Sequence, residues 1–133
     1  MKIVIPGPPI ALKRPRFSTI TKRVYNSQKA EMNAISFIIK SQYSGPQLTG
    51  PLKVTMHFFM EIPNSLSKKK KESINGKPHT KHIDIDNIFK LYSDCITQAS
   101  NIIVDDSQFA EIYANKVYSN IARTEIEIEE LKE

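Results

Sequence analysis

The alternation of apolar and polar positions along the chain predicts most of its elements. Lys2–Pro6 alternates and reads as a first strand, stopped by Pro6-Gly7-Pro8-Pro9. A basic, proline-stiffened segment, Leu12-Lys13-Arg14-Pro15-Arg16-Phe17, leads to Thr21–Tyr25, a short strand or hairpin arm. From about Gln28 to Gln42, Met32, Ile35, Ile38 and Ile39 share one helical face, with Ser27 as the expected N-cap. Leu52–Glu61 alternates through Leu52, Val54, Met56, Phe58 and Met60, the pattern of a core strand. The polar stretch Ser65–Lys81 holds at most one short helix, capped by Ser65 or Ser67. From Asp84 onward, Ile85, Ile88, Phe89, Tyr92, Cys95, Ile96 and Ala99 form the most regular helical stripe in the chain. Two antiparallel strands are expected around Ala110–Val117 and Arg123–Ile128, the second turning Glu125, Glu127 and Glu129 to solvent.

Composition narrows the class. A chain of 133 residues, 40% hydrophobic and 25% charged, is expected to form a single globular domain over 1–133. No apolar run approaches the roughly 20 residues needed to cross a bilayer, and Met1–Pro6 is too short to act as a secretory signal. The single cysteine, Cys95, excludes a disulfide framework and a cysteine-rich zinc site. A cytoplasmic protein without a membrane partner is the expectation. The net charge of +5 conceals a division. Residues 1–81 carry 15 Lys and Arg against 3 Asp and Glu, whereas residues 82–133 carry 4 against 11. Such halves suit a basic surface for a polyanion and an acidic locus for cations, or attraction across a subunit interface.

The acidic half contains the candidate chemistry. With Asp86 in the first turn of its helix, Lys90 at i+4 and Asp94 at i+8 lie on the polar face. Asp84 sits at the helix start, where the dipole favours a carboxylate. Asp84 and Asp86 can aim at a common point, and Asp105 or Asp106 can supply a third ligand from the start of the following strand. Such an oxygen set suits Mg2+, which keeps several waters and needs few carboxylates. Phosphodiester hydrolysis uses such a metal, and Lys90 would stabilise charge developing on the phosphate. The same spacing also describes a solvated salt-bridge ladder behind an N-cap and a turn, worth a few tenths of a kcal/mol per pair. The lysine run Lys68, Lys69, Lys70, Lys71 is by charge a second candidate DNA surface or simply a solvated face. Residue types and spacing leave both readings open.

Asp-x-Asp-Asn-x-x-Lys over 84–90, Asp94, and Asp-Asp-x-Gln over 105–108 resemble the RusA family of Holliday junction resolvases. Ile5-Pro6-Gly7-Pro8-Pro9, followed by Lys13-Arg14-Pro15-Arg16-Phe17, is similar to that family's N-terminus, and Arg123–Ile128 looks like phage and prophage versions. The resemblance runs over nearly the whole chain in the right order. It implies a small α+β homodimer, a mixed β-sheet packed with about two main helices. It also implies symmetric, paired cleavage of four-way DNA junctions with Mg2+ or Mn2+ and no organic cofactor, in recombination and repair. The family's essential carboxylates map onto Asp84, Asp86 and Asp106, and its essential lysine onto Lys90. Asn87, Asp94 and Asp105 take supporting places. Lys13, Arg14 and Arg16 are the implied junction-binding residues. Phe17 is either a wedge at the junction centre or a core anchor. A two-fold junction presents two symmetric phosphates, so a chain with one acidic cluster must dimerise to cut both. Two alternatives stand beside this: a metal nuclease for other branched DNA, and a non-catalytic basic DNA-binding module.

Overall fold

The computed structural model describes residues 1–13, 16–17, 24–25 and 28–132, with the backbone alone for 16–17 and 24–25. Among the described residues six strands and three helices follow in the order β1 (Lys2–Pro6), β2 (Arg16–Phe17), β3 (Val24–Tyr25), α1 (Lys29–Ser41), β4 (Leu52–Glu61), α2 (Lys68–Ile74), α3 (Ile85–Ala99), β5 (Phe109–Ser119) and β6 (Arg123–Glu130). The fold is α+β. One four-stranded mixed sheet, ordered β1-β6-β4-β5, has α1 and α3 packed together on one face. β2 and β3 form a separate two-stranded ribbon.

β4 occupies the sheet interior because its apolar row is the longest. Leu52, Val54, Met56 and Phe58 are all fully buried on the helix-facing side, where each large side chain contributes about 1.5–3 kcal/mol of burial free energy. β4 pairs antiparallel with β6 and parallel with β5. The two last strands thus run in opposite directions, as their pattern predicts, but they are not neighbours. β4 lies between them, and the short Asn120–Ala122 link passes its end. A parallel pair needs a long crossover, and here α2, the polar loop and α3 supply it. Of the last strand's glutamates, Glu127 and Glu129 are exposed, whereas Glu125 is half-buried between Lys2 Nζ at 2.9 Å and Arg123 Nε at 2.7 Å.

Both main helices lie within a residue of their predicted bounds. The α3 stripe is broader than its sequence pattern. Leu91 and Ser93 are buried with Ile88, Tyr92, Cys95, Ile96 and Ala99, because the helix touches α1, the sheet and the turn before β5. The N-cap of α1 is Gln28, not the expected Ser27, which lies outside the described residues. The Gln28 side chain is directed to the N-terminal segment, donating to Ala11 O at 2.8 Å and accepting from Lys13 N at 2.7 Å. Ser67 caps α2 by accepting from Lys70 N. α3 ends on Ser100, whose φ of 66° is the one left-handed backbone among the described non-glycine residues.

Candidate active site

The site grows from the first turns of α3. Asp84 occupies the N-cap, but its side chain makes no capping hydrogen bond, so the carboxylate is not consumed there. Asp86 follows in the first turn, and both acids are exposed. One turn on, Lys90 Nζ lies 3.0 Å from Asp94 Oδ1 and 3.7 Å from Asp106 Oδ2. Hydrogen bonding to Asp94, and then the charges of Asp94 and Asp106, hold the Lys90 ammonium above its ordinary pKa. Ser93, buried on the neighbouring position, donates its hydroxyl to Asp106 Oδ2 at 3.3 Å.

Geometry separates the two consecutive aspartates. Asp105 caps the 3₁₀ turn Asp106–Gln108, accepting from Ser107 N at 3.1 Å, and bonds from Ser107 hold its carboxyl below the usual range. Asp106, one residue later, is directed at α3. Gln108 fixes the turn: its Oε1 accepts from Val104 N and Asp105 N, and its Nε2 donates to Leu48 O and Gly50 O. This Asp105-x-x-Gln108 pattern is a capping box, a signature legible in the sequence, whereas the part played by Ser93 has no local signal.

The N-terminal segment is fastened along the start of the same helix. Ile10 N donates to Tyr92 Oη at 3.3 Å, Leu12 N to Asn87 O at 3.0 Å, and Gln28 grips residues 11 and 13. A groove of about 350 Å³ remains there, lined by Ile10, Lys13, Gln28, Glu31, His82 and Asn87 among others. Lys13 is exposed at its end. Arg14 lies outside the described residues. Arg16 and Phe17 pair with Tyr25 and Val24, while the choice between wedge and anchor rests on a Phe17 side chain outside the description. Lys68, Lys69 and Lys70 are exposed and Lys71 half-buried on α2, apart from the residues that Lys90 joins.

Among the described residues no three His, Cys, Asp or Glu side chains converge, as they stand, closely enough to hold a metal ion. The structure thus joins Lys90, Asp94, Asp106 and Ser93, and leaves Asp84 and Asp86 outside that contact set. The donor chemistry nevertheless fits a hard divalent cation, because the exposed groups at the helix start are carboxylates. Cys95 is buried in the core, its thiol pushed up to about 11, and is neither ligand nor nucleophile.

The site thus lies on a sheet backed by two helices, with acids and a lysine on α3 and the N-terminal segment fastened beside them. The sequence matches the family described as Endodeoxyribonuclease RusA over residues 6–129. It is also 31% identical, over 98% of this chain and 96% of the relative, to the uncharacterized protein YqaN of Bacillus subtilis (strain 168). The chain belongs to the RusA family of endodeoxyribonucleases, hydrolases that act on branched DNA junctions. No helix among the described residues is long and apolar enough to cross a membrane.

Proposed function

We propose that this protein is a Mg2+-dependent resolvase that cuts four-way DNA junctions symmetrically as a homodimer, in DNA recombination and repair in a bacterial cytoplasm. The observation that carries the reading is the joining of Asp106 to the Lys90 face of α3, beside the two uncommitted carboxylates Asp84 and Asp86. Asp84, Asp86 and Asp106 would hold the ion, with Mn2+ as a substitute. A bound Mg2+ supplies Lewis acidity at the phosphoryl group and at the attacking water. Lys90, held by Asp94 and Asp106, adds positive charge where the phosphoryl oxygens become more negative. Asp94 orients Lys90, and Ser93 orients Asp106. Asp105 acts through the carboxylate that caps its turn, and Asn87 through the backbone carbonyl that anchors Leu12. Lys13, Arg14 and Arg16 would hold backbone phosphates, with Lys68–Lys71 as an outer contact.

The test is cleavage of a synthetic four-way junction beside linear duplex, with Mg2+ and with EDTA, for wild type and Asp86→Asn. Paired symmetric cuts in the junction alone, lost with EDTA and in the variant, are expected. Cuts in flaps or forks but not in four-way junctions would reassign the substrate. Binding without any cut would leave a DNA-binding module.

A further inference from the structure

Residues Gly76–Ile83, the approach to α3, lie along the outer edge of β5. Gly76 N donates to Tyr118 O at 2.8 Å, Tyr118 N to Lys77 O at 2.9 Å, and His79 N to Lys116 O at 3.1 Å. Beyond His79 this ladder ends, and a side chain takes over. Lys116 Nζ donates to Lys81 O at 2.8 Å and to Ile83 O at 2.6 Å. Lys116 thus holds the approach from both ends, by its own carbonyl and by its ammonium. Ile83 O belongs to the peptide group whose N–H is that of Asp84. Fixing that carbonyl fixes the plane from which Asp84 departs, and α3, with Asp86 in its first turn, starts directly afterwards. Among the described residues no carboxylate pairs with the Lys116 ammonium, and its charge is directed at main-chain carbonyls of this one segment.

We propose that Lys116 is a positioning residue for the carboxylates Asp84 and Asp86, acting through the carbonyls of Lys81 and Ile83. The proposal rests on the reading of those carboxylates as metal-holding groups. Residues behind a metal-holding set, which orient it without touching the ion, typically change affinity 10–100-fold when removed. Lys116→Met keeps length and apolar stem but removes charge and donors, while Lys116→Arg keeps both.

The experiment compares wild type, Lys116→Met and Lys116→Arg as intact chains. It measures Mn2+ binding by calorimetry, amide exchange over 81–86, thermal stability and junction binding without metal. Lys116→Met is expected to weaken Mn2+ binding at least tenfold and to speed exchange over 81–86, with junction binding within about twofold of wild type. Lys116→Arg is expected to recover most of the Mn2+ affinity. A Lys116→Met protein that loses exchange protection or stability yet binds Mn2+ as wild type does would make the residue merely structural and overturn the proposal. Should Lys116→Met fail to fold, an Arg variant with Mn2+ affinity no better than that of a folded Lys116→Gln protein would overturn it equally. A wild type that binds no Mn2+ refutes the proposed function first, and the role of Lys116 with it.

Discussion

At Lys90, the contacts with Asp94 and Asp106 raise the ammonium pKa above its ordinary value of 10.5, although the side chain is a full cation at neutral pH with or without them. The linked stability is fully present below the unfolded pKa and is lost as pH rises through the folded one, far above neutrality. The Lys90 side chain is half-exposed and screened, so its removal should cost little stability. Lys90→Met is therefore expected to lower junction cleavage about 10²–10³-fold with the melting temperature nearly unchanged. The two adjacent aspartates should behave oppositely. Asp106→Asn is expected to abolish cleavage with folding intact, whereas Asp105→Ala should lower stability through its lost cap. Urea denaturation alongside the cleavage assay separates them. His79 titrates differently: burial, and then the Lys116 charge, lower its pKa from 6.5. The unfolded chain then takes up the proton first, so stability should fall as pH drops below about 6.5. Melting temperatures between pH 5 and 8 should show this slope in wild type, and a flatter one in His79→Gln.

Element by element, the surest parts of the fold are those whose period runs longest. β4 and α3 occupy the positions their patterns predict because each carries a long row of buried side chains. Ile96 of α3 is fully buried, and Ile96→Ala should destabilise the fold by about 2–5 kcal/mol in equilibrium denaturation. The C-cap of α3 is different, since Ser100 holds a left-handed φ of 66° that glycine adopts without strain. Ser100→Gly is expected to stabilise by roughly 0.5–1 kcal/mol despite a more flexible unfolded chain. An unchanged or lower denaturation midpoint would contradict that view of the cap.

On the scale of the whole molecule, the division of charge along the chain is brought together by three anchors. Tyr92 and Asn87 of α3, with Gln28 at the start of α1, hold the end of the basic N-terminal segment. In the proposed function, a DNA backbone gripped by that segment would be presented to the acidic start of α3. Lys13→Ala with Arg16→Ala should weaken junction binding and flatten its dependence on salt, by about 0.9 in log–log slope for each phosphate no longer neutralised. A slope equal to wild type would move the DNA surface to another part of the chain, with α2 next in line.

Much of this was legible in the amino acids. Periodicity alone indicated β1, α1, β4 and α3, because a buried stripe obeys the local geometry of its own element. The residues Asp84, Asp86 and Lys90 stood out by spacing, with Asp105 or Asp106 as the third acid, and the family resemblance pointed to Asp106. Strand neighbours were not legible: β5 and β6 are adjacent in the chain, yet β4 comes between them because its apolar row claims the centre of the sheet. Nor could residue spacing choose which carboxylate of 105–106 meets Lys90, place Ser93 behind Asp106, or set Lys116 under the carbonyl before Asp84. Those contacts join residues 13 to 33 positions apart, and only the packing of helix, turn and sheet edge decides which of them meet.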